Sequence, residues 1–108
     1  MAQIIWTEPA LADLNEIAEY IALENPVAAR DLVRRVFSAV GRLERHPASG
    51  KYPEELEGKR YREVVCGPCR VFYRHSRWQV LILFVMRSER RLRSFLLEDR
   101  DVGCMCRS

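Results

Sequence analysis

The chain has 108 residues, 48% of them apolar and 31% charged, which is the make-up of one ordinary globular domain and not of a disordered tail. That length buries one core beneath two layers of structure and excludes a cofactor domain joined to a substrate domain. The formal charge is +3, yet the chain up to Glu55 has a net charge of −3 and the remainder +6, and 16 of the 18 basic residues are arginine. A basic C-terminal half suits nucleic acid or an acidic protein partner, because guanidinium groups keep their charge and form forked bonds to phosphate or carboxylate. The longest apolar run, Val80 to Met86, falls far short of the roughly 20 residues a membrane helix needs. The opening MAQIIWTEP has no basic-then-apolar leader, so a cytoplasmic protein without membrane contact is expected.

Gln3 to Trp6 is a short β-type run, and Thr7 is a fitting helix cap, with Glu8 and Pro9 in the first turn. Leu11, Leu14, Ile17 and Ile21 recur at helical spacing opposite Asp13, Glu16 and Glu19, which predicts an amphipathic helix from Glu8 to about Glu24. Asn25-Pro26 then opens a second helix with Val33, Val36, Phe37, Val40 and Leu43 as its apolar stripe, ended by Pro47. So short a link makes the two helices an antiparallel hairpin. A loop over 48–58 follows, and then three β-rich runs: Arg60 to Val65, Arg70 to His75 and Trp78 to Met86. The links Gly67-Pro68 and Ser76-Arg77 allow only tight hairpins, so the three form an antiparallel meander, joined by the first strand. The expected fold is therefore α+β: an N-terminal strand, then a two-helix hairpin packed on a mainly antiparallel sheet. One domain over 1–98 is expected, with 99–108 as a flexible tail.

Cys66-Gly-Pro-Cys69 has the four residues of a redox-active turn, but it lies between two β-type runs with no helix to lower a thiol pKa, so a hairpin turn is expected instead. With Cys104 and Cys106 it would supply four thiolates for a structural zinc ion; incidental thiols and no cofactor are the expectation. His46 sits at a helix end and His75 at a hairpin turn, which leaves little for a nucleophilic triad, and no phosphate-binding glycine loop occurs. The remaining cluster is arginine. Residues two apart in a strand share a face, so Arg60 lines up with Arg62, and Arg70 with Phe72 and Arg74, while Val71 and Tyr73 point the other way. With the helical hairpin on the Val71 and Tyr73 face, the opposite face is expected to be open and arginine-rich.

In this arrangement several stretches resemble the RelE/ParE superfamily of bacterial toxins over roughly residues 3 to 98. They are Trp6-Thr7, Ala10 through Asp13-Leu14, Ile17, Tyr20-Ile21, Asn25-Pro26, Ala28-Ala29, His46-Pro47 to Gly50, Pro53-Glu54, Arg62 before Val64, and Arg70-Val71-Phe72-Tyr73-Arg74 before Val85 and Arg90. The resemblance implies one of two activities. RelE-like members cleave messenger RNA on the ribosome, which needs a proton carrier in the late segment; here Arg87 to Leu97 has neither Tyr nor His, Phe95 cannot carry a proton, and arginine is a poor base. ParE-like members inhibit DNA gyrase by binding, without a catalytic residue, and are neutralised by a cognate antitoxin whose C-terminal segment wraps over the hairpin and a sheet edge.

The sequence resembles the ParE branch more, although Arg87-Ser88 stands where many such chains have His-Gly, and Cys69 where they have an aromatic. The resemblance then implies Arg62, Arg70, Arg74, Arg87 and Arg90 as candidate target contacts, and Leu14, Ile21, Val33 and Phe37 as candidate antitoxin contacts in a toxin-antitoxin hetero-oligomer. One alternative is a ribosome-dependent endoribonuclease with Lys51, Lys59, Arg62, Arg70 and Arg87 around the phosphate. Another is a detoxified module that only pairs with its antitoxin.

Overall fold

The computed structural model describes residues 2–56, 58, 60–90, 92 and 96–101. Strand β1 (Gln3–Trp6) stops at Thr7, whose hydroxyl accepts a hydrogen bond from the Ala10 N–H at 3.3 Å and caps helix α1 (Glu8–Ala22), with Pro9 in its first turn. Asn25 caps helix α2 (Pro26–Gly41) in the same way, through the Ala28 N–H at 3.1 Å, and a 3₁₀ turn over Arg42–Glu44 extends it. The remaining strands are β2 (Arg62–Cys66), β3 (Cys69–Ser76) and β4 (Gln79–Arg87). All three end one residue later than the apolar pattern suggests; β2 and β4 also begin later, whereas β3 begins one residue earlier, at Cys69. Cys66 and Cys69 are paired opposite each other inside the strands, so the turn between them is the two residues Gly67-Pro68, with Gly67 at φ 58°.

The sheet order is β1-β4-β3-β2, with β1 parallel to β4 and the other pairs antiparallel. α1 packs on β4 and α2 on β2, which makes one core from Leu14, Leu32, Val36, Val40 and Leu43 against Val71, Tyr73, Val80, Ile82 and Val85. The α+β architecture and the alternation of Val71 and Tyr73 against Arg70, Phe72 and Arg74 are as the sequence predicts.

The other face of the sheet is not open. A second core of Tyr61, Phe72, Leu83, Met86, Leu92 and Leu97 covers it, and Phe72 has no exposed surface. A bulge makes this possible: Phe72 pairs with Phe84 but Tyr73 pairs with Ile82, so Leu83 is an extra residue and both Leu83 and Phe84 lie on the second face. The folded body also runs past residue 98, where a tail was expected to begin. Residues 96–101 are helical, Leu97 and Asp101 are buried, and Arg100 is tied to α1. Two apolar faces on one sheet need two covering layers, and this segment is part of the second. Residues 102–108 lie outside the described residues. Among the described residues no helix is long and apolar enough to cross a membrane.

Candidate functional site

β2 and β3 place Glu63 and Arg70 side by side on the second face, because register partners Glu63 and Phe72 put Arg70 diagonally across from the carboxylate. Arg70 donates from Nε to Glu63 at 2.7 Å and from Nη1 and Nη2 to both oxygens of Glu55 at 2.7 Å, and its Nη1 also reaches the Arg90 carbonyl at 3.3 Å. Four of its five N–H donors are therefore committed within the chain. Its side chain is 11% exposed and that of Glu63 3%. The Arg70 guanidinium, helped by the Leu92 N–H, holds the Glu55 carboxyl down at about 2 against the opposing effect of burial, and the two carboxylates raise Arg70 in turn. An open cleft of about 660 Å³ beside this pair is lined by Lys51, Glu54, Glu55, Glu63, Arg70, Glu89 and Arg90, among others. Four carboxylates against three cations make it a poor trap for phosphate.

The other sheet arginines are similarly engaged. Arg62 donates to the Ala48 and Gly50 carbonyls at 3.0 and 2.9 Å and to the Tyr52 hydroxyl at 2.7 Å, tying down the loop after α2. The Tyr73 hydroxyl fixes the same loop, accepting from the Gly50 N–H at 2.9 Å and donating to the Pro47 carbonyl at 2.8 Å. A Cβ on Gly50 would lie 2.5 Å from that hydroxyl and 2.8 Å from the Glu63 carbonyl. Gly50→Ala is therefore expected to lose about 1–3 kcal/mol of stability through overpacking, measured as a lower urea midpoint at unchanged slope. Arg74 pairs with Asp101 at 3.0 Å, and Asp101 also accepts from Arg60 at 3.2 Å and the Tyr61 hydroxyl at 3.3 Å. Sequence reasoning missed Glu55, Glu63 and Asp101. The legible signal for a covered second face was the unbroken apolar run of β4, which a sheet with one wet face does not need.

Arg87 and Arg90 differ from these. Arg87 lies over the Tyr20 ring at 5.3 Å and, among the described residues, forms an ion pair only with exposed Glu89, and Arg90 is exposed. Both line a second groove of about 530 Å³ between α1 and β4, with Asp13, Ile17, Tyr20, Val85 and Leu96. At its side Asp13 accepts from the Val85 N–H at 3.1 Å and from Arg100, and Arg100 donates to the Leu83 carbonyl at 2.9 Å. β1 covers β4 only over Gln79 to Ile82, so these two side chains satisfy backbone groups where strand pairing has stopped.

The hairpin residues also separate. Leu14 is 3% exposed and belongs to the core, so it is not available as the antitoxin contact it was expected to be; Ile17 packs beside it, whereas Leu11 is exposed. Ile21 and Val33 are half-buried against the core, whereas Phe37 is exposed, with its ring 4.8 Å from that of Trp6. Cys66 and Cys69 are both buried free thiols, and burial, with Cys66 beside it, pushes Cys69 up to about 11, the reverse of an activated thiolate. Cys104 and Cys106 lie outside the described residues, as does Lys59.

One helical hairpin lies on a four-stranded sheet, with Arg70 and Arg74 bound to the chain's own carboxylates and Arg62 to its own carbonyls. Residues 4–92 match the family described as ParE toxin of type II toxin-antitoxin system, parDE. A protein named Putative toxin Y4kP, from Sinorhizobium fredii, is 40% identical over 84 residues, covering 78% of this chain and 85% of that one. Toxin RelE2 of Caulobacter vibrioides is 38% identical over 68 residues, covering 63% and 73%. A solved structure titled Chromosomal ParDE TA system from P. aeruginosa superposes with a TM-score of 0.67 at 26% identity, covering 82% of this chain and 98% of the other. The chain belongs to the ParE toxin family of type II toxin-antitoxin systems.

Proposed function

We propose that this chain arrests growth by binding DNA gyrase, without catalysis, and that a cognate antitoxin neutralises it. The observation that carries this reading is the state of Arg70. RNA cleavage asks for cationic donors aimed at a phosphate and a group that moves a proton off the 2′-hydroxyl. Here the Arg70 donors are spent on Glu55 and Glu63, and the cleft beside them is lined by more acid than base. Of the five candidate arginines, Arg87 and Arg90 are the ones left at the surface, so they are the target contacts in this reading, while Arg62, Arg70 and Arg74 hold the scaffold. Phe37, exposed beside Trp6, is the antitoxin contact on α2, with Ile21 and Val33 at the margin of the same surface.

Purified chain added to gyrase and relaxed plasmid is expected to block supercoiling, and Arg87→Ala/Arg90→Ala to weaken the block at least about tenfold, as loss of two interface arginines would. In bacteria, induction without the antitoxin is expected to raise the DNA-damage signal while translation continues. Immediate collapse of translation, with codon-specific cuts in ribosome-bound message, would instead establish the RNA-cleaving activity.

A further inference from the structure

We propose that the exposed face of α2 is a docking surface for the phosphate backbone of double-stranded DNA. The division of the chain into an acidic and a basic half hides how charge is arranged on the hairpin. α1 has Glu8, Asp13, Glu16 and Glu19 and no basic residue, whereas α2 and the turn after it have Arg30, Arg34, Arg35, Arg42 and Arg45 against Asp31 and Glu44. All five arginines are exposed, and none of their side chains forms an ion pair or hydrogen bond with another described residue, although the Arg35 guanidinium lies beside Gly67 at the β2–β3 turn. Arg70 and Arg74 of the sheet are neutralised where they stand; these are not.

Their placement is ordered. At about 100° per residue, Arg30, Arg34 and Gly41 form one row along α2, Arg35 and Arg42 form a second, and Ser38 lies between them with Asp31, the one acid on this face of the helix. The 16-residue helix is roughly 24 Å long. Two guanidinium rows on a convex rod suit the phosphates on either side of a B-form groove, which admits a helix, better than the deep and narrow groove of duplex RNA. Arg42 and Arg45 also complement the negative end of the helix, but Arg30 and Arg34 lie too far from it for that role.

Gly41 is a separate observation on the same face. Its dihedrals are right-handed, with φ −57° and ψ −32°, and a Cβ placed on it would meet nothing within 4 Å. Neither a turn nor internal packing asks for glycine there, although glycine costs a helix about 1 kcal/mol. A bare backbone flanked by guanidinium groups leaves room for a chain of phosphates to approach closely.

The face also lacks what a protein partner would use. Interfaces between proteins have a packed apolar centre, and here the strip between the rows has Ser38 and Asp31, with Val27 at one end; Phe37, the antitoxin contact proposed above, lies outside both rows on the flank toward Trp6. DNA interfaces are polar and strongly cationic throughout.

The test uses the full chain alone, without gyrase or antitoxin, so its outcome is independent of the proposed target. Anisotropy of a labelled 20-base-pair duplex of mixed sequence is followed from 50 to 200 mM NaCl. Neutralising about four phosphates, affinity is expected to fall roughly 100- to 300-fold over that range, and Arg30→Gln/Arg34→Gln to reduce the fall to about 10- to 20-fold with an unchanged melting curve. No binding at 50 mM salt would overturn the proposal, as would an unaltered salt slope in the variant. So would displacement of the duplex by a polyglutamate peptide at equal charge concentration, which would assign the face to an acidic protein, or a loss of binding produced instead by Arg87→Gln/Arg90→Gln.

Discussion

Arg70→Met is expected to destabilise the protein by about 3–5 kcal/mol, because it leaves the buried Glu63 and the half-covered Glu55 without their counter-charge. Lys51, 3.4 Å from Glu63 and 63% exposed, is too wet to compensate. The triple variant Arg70→Met/Glu55→Gln/Glu63→Leu removes the whole cluster and is expected to recover most of the loss, since replacing a buried ion network with neutral groups is often neutral or better. Urea denaturation of the two variants measures both effects. The comparison also settles what Arg70 is for. A single substitution that abolishes toxicity tells nothing, because unfolding abolishes it as well; a stable triple variant that still arrests growth shows that Arg70 is scaffold, and a stable one that is inert shows that it is a contact. The same pair sets an acid dependence. Glu55 titrates at about 2 in the folded chain against an ordinary value of 4.5, so its contribution is fully present above about pH 4.5 and is lost as pH falls toward 2. The loss is on the order of 2 kcal/mol after allowing for solvent screening, and Glu55→Gln is expected to flatten that part of the stability profile.

The parts of this fold that were legible in the sequence are those set by local chemistry. Thr7 and Asn25, each followed closely by proline, mark both helix starts, and Gly67-Pro68 marks a hairpin, because caps and positive φ angles restrict the choice of residue at a single position. The second core was not legible in the same way. Leu92 and Leu97 stand among arginines and acids in a stretch without helical or strand period, so nothing local shows that they fold back over Phe72 and Leu83. Glu63 and Asp101 look like solvent-facing acids for the same reason: their burial depends on arginines 7 and 27 residues away in sequence. An alternating strand such as Arg70 to Arg74 reads as one wet face when its cations are counted alone. Counting the apolar residues of the neighbouring β4 on both faces corrects that reading, since a strand with no polar side needs cover on each. The candidate site was misread in consequence. The arginines picked for their regular spacing are the ones the fold consumes, and the unpaired ones on α2 were hidden because the acids of α1 cancel them in any sum over the first half of the chain.

Asp101→Ala is expected to cost about 2–4 kcal/mol, which is unusual for a residue seven positions from the last one in the sequence. Its carboxylate is 1% exposed and joins three separate parts of the chain: Arg60 and Tyr61 before β2, Arg74 on β3, and the helical turn over 96–101 that holds Asp101 itself. Without it the Tyr61 hydroxyl, in a residue only 6% exposed, and the Arg74 Nε lose their acceptor. The turn then remains tied by Arg100 to Asp13 and the Leu83 carbonyl, so Asp101→Ala/Arg100→Ala is expected to release it altogether. Release uncovers Leu83, Phe72 and Met86, and the predicted signature is increased binding of a hydrophobic dye together with faster amide exchange at Val85, whose N–H is held by Asp13. A double variant that melts like the parent and binds no more dye would show that the turn merely rests on the sheet. If the turn is a clamp, the second core depends on two charged residues that composition alone would assign to a frayed end, and a chain cut after residue 98 will fail for that reason and not for want of a target contact.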